Sequence, residues 1–190
     1  MSVSKNQLKL ITSLSQKKYR QKNSLFIAEG VKVINEFLKS DIELHHLFCL
    51  DTFVTNVVDD KTTRISAAEL RKISQLKTPN QVLGIFKIPK ESKLALTNLV
   101  LALDDVNDPG NLGTIIRLCD WYGINSIVCS KATVDCYNQK VVQASMGSLT
   151  RVNLWYTDLI SFLKESNTPK FIAAMDGENV YKTVLPQSAI

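Results

Sequence analysis

The 190-residue chain is 45% hydrophobic and 22% charged, which suits one large globular domain or two small ones. No apolar run approaches the roughly 18 residues of a membrane span. The N-terminus, MSVSKNQLKLITSLSQ, lacks the apolar core and small-residue cleavage site of a secretory signal. The net charge of +5 is gathered at one end: residues 1–22 hold six Lys or Arg and no acid, leaving 17 basic against 18 acidic groups elsewhere.

Ser4 can cap a first helix with apolar positions Leu8, Ile11 and Leu14. A basic loop, 15–23, follows. Its K-K-Y-R-Q-K string interleaves an aromatic with cations, which suits phosphate contacts beside a stacking side chain. Lys5, Lys9, Lys17, Lys18, Arg20 and Lys22 are therefore the candidate nucleic-acid-binding residues. Leu25–Ala28 reads as a buried strand, and Val31, Ile34, Phe37 and Leu38 as one face of a helix. Leu44–Leu50 is a second strand, with His45 and His46 at its edge. Ile65 marks a short strand, and Ser66 to Glu69 form a capping box for a helix reaching about Gln75. Val82–Ile88 is a further strand. The polar stretch that Pro89 opens contains a linker at 91–98.

A second module then begins with LVLALDDVNDPGNLGTIIRLCDWYG, residues 99–123. The apolar run Leu99–Leu103 is a strand, and residues 104–111 are turn-formers. Ile115, Leu118, Cys119 and Tyr122 follow at i, i+3, i+4 and i+7, one apolar helical face, with Asn111 as N-cap and Gly123 just past the C-cap. Thr114, Arg117 and Trp121 share a neighbouring face. Further strands are expected at Ile127–Cys129, Val152–Trp155 and Phe171–Ala174, with helices at Gln139–Met146 and Leu159–Leu163. This alternation predicts a parallel, doubly wound sheet whose carboxyl-end loops face the ligand. Cys49, Cys119, Cys129 and Cys136 show no metal-ligand spacing, so no metal site is expected, and unpaired cysteines suit a reducing, cytoplasmic setting.

The string Asp105-x-x-Asp108-Pro-Gly-Asn-Leu-Gly-Thr-Ile-Ile-Arg117 closely resembles the first motif of the SpoU group of SPOUT RNA methyltransferases. S-L-F-I-A-E-G at 24–30 and Q-A-S-M-G-S-L-T-R-V at 143–152 are similar to further stretches of that family. The resemblance implies an α/β fold in two parts: an RNA-binding domain at 1–90, a linker at 91–98, and a Rossmann-like SPOUT domain at 99–190. It implies methyl transfer from S-adenosyl-L-methionine to a ribose 2′-OH of rRNA or tRNA, by a homodimer with a C-terminal trefoil knot. Asn111 and Arg117 would be the active-site pair. The loop Ala174, Met175, Asp176 and Gly177 would lie on the cofactor. The G-N-E-G-like and S-L-N-containing motifs that tie the knot are expected just past residue 185 and do not occur before Ile190. The alternative is an RNA-binding protein derived from such an enzyme.

Overall fold

The structure is a computed structural model that describes residues 2–90, 94, 96, 98–184 and 186–190. Residues 91–93, 95 and 97 of the expected linker, and Leu185, lie outside the described residues.

The first unit is a four-stranded sheet ordered β1-β4-β2-β3, from β1 (Leu25–Glu29), β2 (Leu44–Cys49), β3 (Thr62–Arg64) and β4 (Val82–Lys87). β4 pairs antiparallel with both neighbours, and β2 pairs parallel with β3. The His pair therefore opens an interior strand. His45 is exposed, while His46 Nε2 bonds Thr63 Oγ1 at 2.8 Å, and burial lowers the His46 pKa. α1 (Lys5–Ser13) starts at Ser4 with a reciprocal capping box to Gln7. α3 (Val31–Leu38) buries Val33, Ile34 and Phe37. α4 (Ala67–Ile73) is capped by Ser66 and Glu69 as expected, but ends two residues early at the Ser74 C-cap.

The expected basic loop is instead largely helical. α2 (Lys17–Asn23) has no side-chain cap and no apolar stripe. What holds it is one buried cation. Arg20 is 3% exposed, and its Nε donates to Asp135 Oδ2 at 2.9 Å while Nη1 donates to the Leu14 and Ser15 carbonyls at 2.9 and 3.0 Å.

The second unit is a parallel sheet ordered β5-β6-β7, from β5 (Leu101–Leu103), β6 (Ser126–Ser130) and β7 (Asn153–Thr157). Alternate side chains of β6 face opposite layers. Ile127 and Cys129 join a core with Leu112, Ile116, Val141 and Val142, from α5 (Pro109–Trp121) and α6 (Gln139–Ser145). Val128 joins Val100, Leu159 and Ile190 beside α7 (Leu159–Glu165). Helices thus cover both faces, as the alternating pattern predicts. The same core runs on into Phe26, Phe37 and Phe86 of the first unit, and the Tyr137 ring lies 4.8 Å from that of Phe26.

Phe171–Ala174 is not a strand. A strand needs a partner along its length, and among the described residues only the Phe171 amide of this segment is paired, to Ile190 O at 2.8 Å. Ser188–Ile190 itself runs parallel to the start of β5, through a bridge between Leu99 and Ala189 and a bond from Val100 N to Ala189 O at 2.9 Å.

Candidate active site

The site is organised by α5. Its N-cap is Asp108, not Asn111. The Asp108 carboxylate accepts from Asn111 N at 2.7 Å, and Pro109 takes the first helical position, where a missing N–H costs nothing. Asn111 is left in the first turn with its side chain exposed. Gly123 closes the helix as expected, with Ile124 N bonding Cys119 O at 2.8 Å and Gly123 N bonding Asp120 O at 3.2 Å.

Gly113 faces α6, and a Cβ there would lie 2.4 Å from the Ala144 Cβ. This close approach sets the rotation of α5. Leu112, Ile116 and Cys119 turn inward, whereas Leu118 and Tyr122, expected on the buried face, are exposed. Trp121 is 84% exposed. An apolar surface therefore surrounds Arg117 on the outside of the helix.

Thr114, Arg117, Leu118, Asp120, Trp121 and Ser148 line an open hollow of about 540 Å³. Arg117 is exposed and makes no hydrogen bond or ion pair with the described residues. Arg20 is tied to Asp135, Arg64 to the Leu50 and Phe53 carbonyls, and Arg151 to Asp120 and Glu36, while Arg71, exposed on α4, is unbonded among the described residues like Arg117 but does not border this hollow. Asp104, Asp105 and Asp120, the carboxylates near enough in sequence to brace Arg117, do not bond it. Asp120 is instead taken by Arg151, which with Ser148 holds its carboxyl below the usual carboxylate range. The spacing did not reveal this Asp120–Arg151–Glu36 set, because its members lie far apart in sequence.

Asn111 and Arg117 do not converge. Six residues apart on one helix, they project about 120° from each other and about 9 Å apart along the axis. Ala174, Met175, Asp176 and Gly177 are all exposed and form a turn, with Gly177 N donating to Ala174 O at 3.3 Å. The amides of Ile172 to Asp176 donate to no group among the described residues. Ile172 and Met175 add exposed apolar side chains. Free backbone donors beside apolar side chains fit what a nucleoside-bearing cofactor needs.

Of the six expected RNA-binding cations, Lys5, Lys9, Lys17, Lys18 and Lys22 are exposed. Arg20 is a correction: 3% exposed and bonded to Asp135 and to the Leu14 and Ser15 carbonyls, it is turned away from any phosphate. The folded arm also borders a cleft of about 480 Å³ between the two units, where Lys17 and Lys90 meet Trp155 and Tyr156. Lys17 Nζ lies 5.8 Å from the Tyr156 ring centroid.

Among the described residues no helix is long and apolar enough to cross a membrane.

Residues 5–84 match the MRM3-like substrate binding domain, and residues 98–190 match the SpoU rRNA Methylase family. The chain is 32% identical over 181 residues to the 23S rRNA (guanosine(2553)-2′-O)-methyltransferase RlmP of Bacillus subtilis, covering 93% of this chain and 69% of that protein. It is 28% identical over 180 residues to the mitochondrial rRNA methyltransferase 3 of Xenopus tropicalis, but spans only 42% of that protein's length. A solved structure from Porphyromonas gingivalis, assigned to the TrmH family of RNA methyltransferases, superposes with a TM-score of 0.86 at 31% identity, over 98% of this chain and 77% of that one. The AdoMet-bound rRNA methyltransferase of Sinorhizobium meliloti shares the fold, with a TM-score of 0.82 at 24% identity over 100% of this chain and 77% of that one. The chain belongs to the SpoU family of S-adenosyl-L-methionine-dependent RNA 2′-O-methyltransferases.

Proposed function

We propose that the chain methylates a ribose 2′-OH of ribosomal RNA, with Arg117 acting on the reacting oxygen. The observation that carries this is the unpaired, exposed Arg117 beside an apolar surface, bordering an open hollow.

S-adenosyl-L-methionine supplies the methyl group, and the Ala174 to Gly177 turn, with the free amides of Ala174, Met175 and Asp176 and its apolar neighbours, would hold it. Transfer from a sulfonium to a hydroxyl is an in-line displacement. The chain's own residues must align the hydroxyl, stabilise charge on it and exclude water. A guanidinium keeps its proton in proteins, so Arg117 is not the base. It stabilises the 2′-oxygen as charge develops, while a phosphate or water takes the proton. Asn111 orients the ribose.

RNA is gripped by Lys5, Lys9, Lys17, Lys18 and Lys22, with Lys90 and the Tyr156 ring continuing the basic and aromatic track into the cleft between the units. The RNA-binding part spans 1–90, a linker spans 91–98, and the methyltransferase part spans 99–190. The exposed Leu118, Trp121 and Tyr122 support a homodimer formed through α5. The divergence of Asn111 and Arg117 supports a site that a second copy completes. Four reduced, buried cysteines suit the cytoplasm.

Methyl transfer from labelled S-adenosyl-L-methionine to ribosomal RNA tests the reading. A 2′-O-methyl group removes the nucleophile of alkaline cleavage. Label in an alkali-resistant dinucleotide supports the proposal, and label released with single nucleotides contradicts it.

A further inference from the structure

Arg117 has a carboxylate one turn along its own helix. Side chains three apart on a helix have Cβ atoms roughly 5–6 Å from each other, within reach of an ion pair. Arg117 and Asp120 also border the same hollow. A free Asp120 would pair with Arg117 and turn it into an ordinary surface salt bridge.

Arg151 prevents this. Its Nε donates to Asp120 Oδ1 and Oδ2 at 2.9 and 3.1 Å, and its Nη2 donates to Oδ2 at 2.8 Å. The Ser148 hydroxyl helps to keep the same carboxylate charged, below the usual carboxylate range. Nη1 of Arg151 reaches across to Glu36 Oε2 on α3 at 2.8 Å and to Thr150 Oγ1 at 3.2 Å. The turn beneath is shaped for this reach. Gly147 has φ +95°, and a Cβ there would lie 2.5 Å from the Glu36 Cβ, so the backbone presses against α3. Gly147, Ser148, Thr150 and Arg151 all belong to the Q-A-S-M-G-S-L-T-R-V stretch, for which methyl transfer itself has no evident use.

We propose that Arg151 is a positioning residue: it occupies Asp120, so that Arg117 stays unpaired and free to meet the developing 2′-oxygen. This rests on the role of Arg117 given above. Glu36 anchors Arg151 to the RNA-binding part, so contact there is tied to the state of Arg117. The competing role for Arg151 is a staple that only joins α5 to α3.

The test compares Arg151→Met, Asp120→Asn and the double variant Arg151→Met/Asp120→Asn, each in the full chain. The first readout is the Nε–Hε resonance of Arg117 in the isolated 15N-labelled protein. It should shift and become protected in Arg151→Met, as Asp120 turns to Arg117, and revert in the double variant. The second is single-turnover methylation at saturating RNA and S-adenosyl-L-methionine. An exposed ion pair is weak, so Arg151→Met should lower the rate only about two- to fivefold. The double variant should return to the rate of Asp120→Asn alone. A staple predicts no recovery, because removing the carboxylate restores no link to α3. A double variant as slow as Arg151→Met, or an Arg117 resonance that stays put, overturns the proposal. If the parent chain transfers no methyl group, the proposed function fails while the resonance still decides whether Arg151 keeps Asp120 from Arg117.

Discussion

Arg20→Ala should unfold the arm rather than merely weaken its grip on RNA. The side chain is 3% exposed and makes bonds to Asp135, Leu14 O and Ser15 O. Removing it strands the Asp135 carboxylate, 15% exposed, and two carbonyls at the junction of the units. Breaking a buried pair from one side costs about 3–5 kcal/mol. For a chain of this size each kcal/mol shifts the melting temperature by about 2–4 °C, so a drop of roughly 6–20 °C is expected. Arg20→Met should recover part of the loss through its aliphatic stem, and the triple variant of Lys17, Lys18 and Lys22 to Ala should melt like the parent. Thermal melts paired with RNA binding at 20 °C below each melting temperature separate the roles. An Arg20→Ala protein that melts within about 2 °C of the parent yet binds RNA as poorly as the lysine variant would refute the structural reading.

RNA binding through the exposed lysines should fall with salt: about four neutralised phosphates give a slope of log K against log salt near −3, and the triple lysine variant should flatten it by about 2. A slope that is unchanged in the variant places the RNA elsewhere. Glu29 sits buried among Ser74, Gln75 and Gln139, and burial outweighs those hydrogen bonds and raises its pKa. The folded state therefore holds this proton more tightly than the unfolded state. Its favourable contribution is complete below the unfolded value near 4.5 and is lost as pH rises through the folded value. Glu29→Gln should then gain melting temperature relative to the parent as pH rises from 4.5, and a constant difference would contradict this. Gly113→Ala should cost about 1–3 kcal/mol, because its methyl group would overlap Ala144 across α5 and α6; an unchanged denaturant midpoint would show that the helices part freely.

The parallel sheet and its helices were legible because each element carries its own period and its own turn residues. The misses have one origin: a local pattern consistent with two arrangements, of which packing selects one. Along α5 the apolar residues form two overlapping stripes, Leu112-Ile116-Cys119 and Ile115-Leu118-Tyr122, and the contact of Gly113 with Ala144 decides that the first turns inward. The six cations of residues 1–22 read alike as RNA-binding candidates, since nothing local distinguishes Arg20 from Lys18; Asp135, 115 residues away, does so. Phe171–Ala174 has strand composition, but ladder hydrogen bonds come from a neighbour, and the neighbour supplies one. Arg117 and Asn111 were legible as candidates through the motif. That Arg117 is unpaired, and that the two side chains diverge, required coordinates.

The most direct measurement is the single-turnover methylation rate of Arg117→Ala at saturating RNA and S-adenosyl-L-methionine, taken beside its melting temperature and RNA affinity. A donor aimed at charge that appears only in the transition state affects turnover more than binding. Loss of one such donor costs about 3–4 kcal/mol, or roughly 100- to 1,000-fold in rate. Arg117 bonds nothing in the described fold, so its removal should leave the melting temperature unchanged. Arg117→Lys should restore little, because one ammonium cannot reproduce the planar fork. A rate reduced by that factor in a stable, RNA-binding variant is the predicted result; a stable variant that methylates at close to the parent rate would contradict the account.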